Sequence, residues 1–343
     1  MFQAMRGRAS LFLARHWVRF SWFTVALMPV SGLYAALIAL RAAAYRTGLL
    51  RAHRVSVPVV IVGNITVGGT GKTPLVLWIC DFLHERGFRP GIVSRGYGGE
   101  GRTCAVRPDT DPALTGDEPV LLARRSRAPV WIGGDRAAAA RALLLAHPDC
   151  DVIISDDGLQ HLALARDMEI AVVDARYGLG NGCSLPSGPL REGASRLERV
   201  DALVVHGHRE QPLPGIAPLH MTLEGKEFAN LLNPEFRISA SGFGGKSVHA
   251  VAGIGNPARF FEHLRHIGLS FVAHPFPDHH KFVPDDLEIA GAEAIVMTEK
   301  DAIKCRRFAR ENHWYLPVDA HVDPALGEKL LHKLKSRHGS QTA

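Results

Sequence analysis

A glycine-rich run ending in Lys72 and Thr73 is the part of this chain best suited to chemistry. The run reads GNITVGGTGKTP, follows an apolar strand-like segment and precedes a segment with helical spacing. In such a loop, backbone N–H groups converge on phosphate oxygens and the helix N-terminus adds its positive dipole. Lys72 would reach the β and γ phosphates, and the Thr73 hydroxyl would ligate Mg²⁺. The predicted nucleotide-binding residues are Thr66, Val67, Gly68, Gly69, Thr70, Gly71, Lys72 and Thr73.

One position of this loop departs from the usual pattern G-x-x-x-x-G-K-[ST], because Thr66 stands where the first glycine is expected. We expect Gly68 and Gly69 to supply the backbone freedom instead. A plain structural turn is the alternative interpretation, but the flanking strand and helix favour phosphate binding.

Two pairs of carboxylates are candidates for metal binding and base catalysis. Asp156 and Asp157 end an apolar strand, as in a Walker-B element that organises Mg²⁺, and Gln160 follows at the same sheet edge. Asp117 and Glu118 lie at a predicted helix start. There, one carboxylate could accept a proton from a substrate hydroxyl while the other joins the metal shell. Each pair could instead be a solvated turn or an ordinary helix N-terminus.

A histidine and two loops complete the set of candidate residues. His279 belongs to a pair of adjacent histidines whose spacing completes no zinc site, so orienting a catalytic carboxylate is its simpler role. Arg95 and Tyr97 lie in the turn SRGYGG, and Arg191 and Glu192 lie in GPLRE. An arginine in either turn could clamp a phosphate through its two-pronged guanidinium. Taken alone, both segments would be ordinary loops.

Charge is distributed unevenly along the 343 residues, which carry a net charge of +6. No Asp or Glu precedes Asp81, and the uncharged stretch between Arg19 and Arg41 reads FSWFTVALMPVSGLYAALIAL. Basic residues that flank an apolar segment with aromatic edges are typical of membrane-interface elements. This distribution favours a membrane surface over a nucleic-acid partner. The five cysteines form no C-x-x-C pair, which suits a reducing compartment.

The apolar stretch just reaches the ~20 residues that a membrane-spanning helix needs. Pro29, Ser31 and Gly32 interrupt its middle, where proline removes a helix hydrogen bond. We therefore predict a kinked helix pair that lies on the cytoplasmic leaflet, with a true span as the alternative. Core helices that cover the next domain are a further interpretation. A cleaved signal peptide is disfavoured because the phosphate loop follows closely and ATP is cytosolic.

The elements that must position these residues alternate between apolar β-like runs and helical stretches, which predicts a P-loop-containing parallel sheet with helices on both faces. Ligands of such folds bind at the carboxyl ends of the strands, where the candidate residues fall. A second alternating series predicts a smaller α/β domain. The predicted organisation is membrane-associating N-terminal helices (1–54), a P-loop kinase domain (55–225), a smaller C-terminal α/β domain (226–335) and a tail (336–343).

Seven ordered motifs resemble those of the tetraacyldisaccharide 4′-kinase family: GNITVGGTGKTP, SRGYGG, GDEP, DDGLQH, GPLRE, FPDHH and MTEKDAIK. Gly193 departs from the family pattern, in which proline usually follows Arg-Glu. The resemblance implies transfer of the ATP γ-phosphoryl group to the 4′-hydroxyl of a tetraacyldisaccharide 1-phosphate, forming lipid IVA in lipid A assembly. It also implies Mg²⁺, a site at the cytoplasmic face of the bacterial inner membrane, and no obligate protein partner.

The resemblance further implies roles for individual residues. Asp117 would act as general base, assisted by His279 from the second domain, and Lys72 would be the phosphate-loop lysine. The positions expected near Mg²⁺ match Glu118, Asp157 and Gln160, with Asp156 as an addition. Arg191 and Glu192 match a loop near the acceptor or the transferred group. A base and its partner on different domains predict that the cleft closes on its substrates.

Two other functions use the same features. A membrane-recruited P-loop ATPase switch would hydrolyse ATP without an acceptor, and a soluble small-metabolite kinase would use its opening helices only to cap its core. A GTPase is disfavoured because no guanine-binding [NT]-K-x-D sequence is present, and the TEKD at 298–301 has the wrong spacing.

Overall fold

The computed structural model of the chain describes residues 16–96, 102–209 and 211–341. The strands are β1 (Val59–Gly63), β2 (Pro90–Ser94), β3 (Cys104–Val106), β4 (Val130–Ile132), β5 (Val152–Asp156), β6 (Met168–Asp174), β7 (Ala202–His206), β8 (Pro218–Glu224), β9 (Glu227–Asn230), β10 (Arg237–Ser239), β11 (Val248–Ala252), β12 (Val272–Pro275), β13 (Ala294–Thr298), β14 (His313–Leu316) and β15 (Asp319–Val322). The α-helices are α1 (Trp22–Arg46), α2 (Lys72–His84), α3 (Pro112–Thr115), α4 (Asp117–Arg125), α5 (Arg136–Ala146), α6 (Pro257–His266), α7 (Glu299–Cys305) and α8 (Ala325–Gln341).

Among the described residues, the larger sheet contains nine strands in the order β15-β8-β7-β6-β1-β5-β2-β4-β3. Its central strands are parallel, and every residue of β1, β2, β5 and β7 is buried because helices cover both faces. Side chains alternate between the two cores: Val60 and Val62 pack with α2, α4 and α8, whereas Val59 and Ile61 pack with α5. This arrangement confirms the predicted fold class.

In the part of the chain that the structure describes, the smaller sheet contains six strands in the order β10-β9-β14-β13-β11-β12, and the chain enters it between Glu224 and Glu227. The chain then returns to the larger sheet, since β15 pairs antiparallel with β8 and Leu326 and Leu330 of α8 join the core beneath α2. Residues 319–335 therefore belong with the larger sheet, contrary to the predicted smaller domain over 226–335. The prediction was wrong here because the apolar pattern of α8 indicates a buried helix face but does not indicate which of the two sheets that face packs against.

The N-terminal apolar segment is one continuous helix, α1, rather than the predicted kinked pair within residues 19–41. Pro29 lies inside it, where it removes a single backbone donor, and the Ser21 side chain caps its N-terminus. Contacts to the larger domain near Pro29 compensate for this lost hydrogen bond. In one of them, the Ser31 hydroxyl donates to the Ser187 hydroxyl at 2.7 Å. By length and composition α1 could cross a membrane, and only 11% of its most apolar window is buried.

Three neighbouring strands of the larger sheet bring the candidate residues to one edge. The register places Val62 of β1 opposite Asp156 of β5, and Val93 of β2 opposite Ser155. The carboxyl ends of these strands therefore meet beside the loop that follows Gly63. The second domain faces this edge through α7, whose Glu299 pairs with Arg125 of α4 at 2.7 Å.

Candidate active site

The phosphate loop runs from the end of β1 to Lys72, the first residue of α2. Gly68 and Gly71 have positive φ angles of 113° and 91°, which favour glycine. The backbone freedom therefore comes from Gly68 as expected, but from Gly71 rather than Gly69. Thr66 replaces glycine without strain because it pairs in extended conformation with Leu190 and keeps a negative φ.

Asp157 links the phosphate-loop lysine to the GPLRE loop. Its carboxylate lies 3.4 Å from Lys72 Nζ and accepts hydrogen bonds of 3.0 and 3.1 Å from Arg191 Nη1. Burial alone would raise the pKa of Asp157, but the charges of Lys72 and Arg191 outweigh it and lower the pKa. Asp157 itself has a left-handed backbone (φ 49°), which turns its side chain out of the strand direction.

Asp156 has the surroundings of a cation ligand. It is 1% exposed, and its Oδ1 has no hydrogen-bond partner among the described residues. Burial, followed by repulsion from Glu118 and Asp157, raises its pKa. A divalent cation would relieve both effects, so these residues fit Mg²⁺.

No group of three His, Cys, Asp or Glu side chains forms a ready-made metal cluster within the part of the chain that the structure describes. This is compatible with Mg²⁺, which usually binds one or two carboxylates together with water and substrate phosphates. The Thr73 hydroxyl, in the first turn of α2, remains the predicted additional ligand.

The predicted base and its partner come together from the two domains. Asp117, 8% exposed, starts α4, and its Oδ2 lies 3.6 Å from Nδ1 of His279, slightly beyond hydrogen-bond length. Burial would raise the pKa of Asp117, but His279 and two lysines lower it to about 2. The same interaction raises the pKa of His279.

Sequence reasoning missed the two lysines, which belong to the motif MTEKDAIK. Lys300 Nζ and Lys304 Nζ each lie 3.9 Å from Asp117 Oδ2, and Lys300 also donates to Glu118 Oε1 at 2.9 Å. Burial alone would lower the pKa of Lys300, but Glu118 and Asp117 raise it. The available signal was their spacing, since residues four apart share one helix face.

The GPLRE loop forms a network with the DDGLQH turn. Gln160 Nε2 donates to Glu192 Oε1 at 2.7 Å and to the Asn64 carbonyl at 3.0 Å. The hydroxyl of Tyr34 on α1 donates to the Arg191 carbonyl at 3.1 Å. A cavity of about 620 Å³ separates this network from α1, and its lining includes Ala35, Ala42, Tyr45, Arg191, Glu192 and Arg196.

Two further predicted substrate residues belong to the turn that follows β2 in the sequence. Arg95 is exposed directly after β2, at the same sheet edge as the phosphate loop, and among the described residues it makes no contact that assigns it a role. Tyr97 lies outside the described residues.

The parallel sheet, its phosphate loop and the carboxylates beside it place this protein in the class of P-loop phosphotransferases. The sequence model described as LpxK: Tetraacyldisaccharide-1-P 4′-kinase matches residues 23–335. Because this match spans most of the chain, the protein belongs to the tetraacyldisaccharide-1-P 4′-kinase family. The family predicted from the seven motifs is thereby confirmed.

Individual relatives agree with this assignment. The tetraacyldisaccharide 4′-kinase of Methylobacillus flagellatus is 50% identical over 326 residues, covering 95% of this chain and 96% of the relative. That of Aromatoleum aromaticum is 52% identical over 322 residues, covering 92% and 95%. The crystal structure of "apo" form LpxK from Aquifex aeolicus in complex with ATP matches with a TM-score of 0.75 at 28% identity, covering 91% of this chain and 99% of that chain.

Proposed function

We propose that this protein transfers the γ-phosphoryl group of ATP to the 4′-hydroxyl of a tetraacyldisaccharide 1-phosphate, forming lipid IVA. The observation that carries the proposal is the meeting of Asp117 and His279 from two domains beside the phosphate loop. Such a pair is suited to an acceptor hydroxyl, which an ATPase switch does not use. Family membership supports the same reaction.

The phosphate loop and its neighbours would bind the nucleotide. The backbone N–H groups before Lys72 would donate to phosphate oxygens, and Lys72, which now lies 3.4 Å from Asp157 Oδ1, would also bind a phosphate. Mg²⁺, when bound, neutralises charge on the transferred group. The residues that would hold the ion are Thr73, Glu118, Asp156, Asp157 and Gln160.

Asp117 would orient the acceptor hydroxyl and take its proton. A carboxylate with a pKa of about 2 is a weak base, but a loose phosphoryl-transfer transition state makes positioning the larger need. His279 would then share the proton, because Asp117 raises its pKa. Lys300 and Lys304 keep Asp117 ionised so that it remains an acceptor of hydrogen bonds.

The apolar face of α1 would enter the cytoplasmic surface of the bacterial inner membrane. Exposed apolar side chains occur along its length: Trp22, Val25, Met28, Val30, Leu33, Leu37 and Leu40. Its other side is fixed to the larger domain, through Ser31, Tyr34 and Arg41. A helix that crossed the bilayer would lose these contacts, so peripheral attachment is favoured over a span. The lipid acceptor would reach the cavity beside α1.

The decisive experiment incubates the purified protein with Mg-ATP and tetraacyldisaccharide 1-phosphate in mixed micelles. Mass spectrometry should detect a product heavier by one phosphoryl group, and Asp117→Asn should abolish it. ATP hydrolysis without a phosphorylated lipid would favour the ATPase switch. Phosphorylation of a soluble metabolite instead would favour the small-metabolite kinase.

A further inference from the structure

A histidine that the proposed mechanism does not use supports the phosphate loop from behind. His206 ends β7 and is 3% exposed. Its Nδ1 lies 3.2 Å from the carbonyl oxygen of Thr70. A Cβ placed on Gly71 would lie 2.8 Å from the same nitrogen, so the ring packs directly under the two residues that precede Lys72.

An arginine determines which nitrogen of His206 carries the proton. Arg259 Nη2 lies 2.7 Å from His206 Nε2. A guanidinium has no acceptor, so Nε2 must accept and Nδ1 must carry the hydrogen. The Nδ1–H group therefore donates to the Thr70 carbonyl. Burial and the charge of Arg259 lower the pKa of His206, which keeps the ring neutral.

Arg259 comes from the second domain. It lies on α6, whose Phe260 and Phe261 are part of the core of the smaller sheet. Its Nη1 donates to Asp174 Oδ2 at 2.5 Å, at the end of β6 in the larger sheet. The Arg259–His206 relay, consisting of Asp174, Arg259, His206 and the Thr70 carbonyl, thus connects the second domain to the phosphate-loop backbone.

The loop before α6 approaches the phosphate loop from another direction. A Cβ placed on Gly255 would lie 3.6 Å from the backbone nitrogen of Gly69. A second ion pair, between Arg176 and Glu262 at 2.9 Å, joins α6 to the larger domain near the relay, but both of its side chains are half-exposed.

We propose that Arg259 and His206 are positioning residues for the phosphate loop. When the second domain is docked on the larger domain, the relay holds the backbone from Thr70 to Lys72 in its phosphate-binding conformation. Nucleotide affinity therefore depends on a domain that also carries His279. This inference rests on the proposed function only in taking the loop as a nucleotide site.

The test measures binding of the β,γ-imido analogue of ATP with Mg²⁺ by calorimetry, without acceptor. Arg259→Met and His206→Ala should each weaken the affinity about tenfold, the cost of one lost hydrogen bond of this kind. Because both residues act through one chain of bonds, the double variant should bind no more weakly than either single variant. Thermal unfolding of each variant is recorded in parallel.

Glu262→Gln is the matched control, since it removes the neighbouring interdomain ion pair without touching the relay. Its affinity should stay within about twofold of the unsubstituted protein, because exposed ion pairs contribute little. If Glu262→Gln lost as much nucleotide affinity as Arg259→Met, the relay would be refuted. Any contact between the two domains would then support the phosphate loop equally well. Unchanged affinity in Arg259→Met, or additive losses in the double variant, would also overturn the relay.

The test separates failure of a variant to fold, failure of the proposed function and failure of the relay. If His206→Ala does not fold, Arg259→Met decides alone, because Arg259 is one-third exposed and its removal leaves no large buried cavity. If the unsubstituted protein binds no nucleotide, the proposed function fails together with the relay. If it binds and the variants bind equally well, only the relay fails.

Discussion

Membrane attachment through α1 makes a quantitative prediction. Leu33, Leu37 and Leu40 are 64%, 58% and 67% exposed and lie away from the helix contacts to the larger domain. Replacing all three by glutamine removes apolar surface while keeping good helix formers in the helix. We expect the triple variant to fold normally and to bind vesicles much more weakly.

The size of the effect follows from these exposures. Full burial of a leucine side chain contributes about 2 kcal/mol, so about 60% of each side chain contributes roughly 1.2 kcal/mol. Three such residues give about 3.6 kcal/mol, which corresponds to roughly four hundredfold lower partitioning. The value is an upper bound if the three side chains enter the membrane only in part.

Vesicle co-sedimentation over a range of lipid concentrations measures the partition coefficient, using phosphatidylethanolamine and phosphatidylglycerol. The control replaces by glutamine three leucines elsewhere whose combined exposure is similar: Leu114, Leu145 and Leu232. This control should bind vesicles like the unsubstituted protein. Equal binding by the α1 variant, or an equal loss in the control, would refute attachment through this face.

Further predictions concern the catalytic residues. Lys72→Met should lower turnover by at least about a hundredfold through lost charge stabilisation, and a steady-state rate near that of the unsubstituted protein would remove the lysine from the mechanism. Asp117→Ala and His279→Ala should reduce turnover less than additively, since they act on one step; full additivity in the double variant would separate their roles. Asp117 raises the pKa of His279, so their interaction stabilises the protein below the ordinary pKa of histidine and is lost as the pH rises through the raised value. The difference in melting temperature between the unsubstituted protein and His279→Gln should accordingly be larger at about pH 5.5 than at about pH 8.5, and the reverse order would contradict this assignment.

The features that could be predicted from the sequence are local in the chain. A strand, a glycine turn and a helix start lie within about two dozen residues, so the phosphate loop was identifiable, as were the acids at the end of β5. The helical spacing after the glycine-rich run likewise predicted α2, because that prediction needs only the local apolar pattern.

The relations that could not be predicted join distant residues. Lys300 reaches Glu118 across 182 positions, and Arg259 reaches His206 across 53, so both contacts depend on how the two domains pack. The edge strand β15 carries too few residues to show a clear period. Pro29 misled the prediction for α1, because tertiary contacts outweighed one lost hydrogen bond.

The return of β15 and α8 to the larger sheet has a consequence for movement. The second domain is held by two connections that run side by side, since a Cβ on Gly225 would meet the Pro317 carbonyl oxygen directly. Two adjacent chain connections allow the second domain to rotate about the line that joins them. They resist translation of the second domain and its rotation about other axes. We therefore expect any opening of the cleft to be a rotation about this single axis. For the same reason, a truncation after residue 318 would remove part of the larger core rather than a dispensable tail.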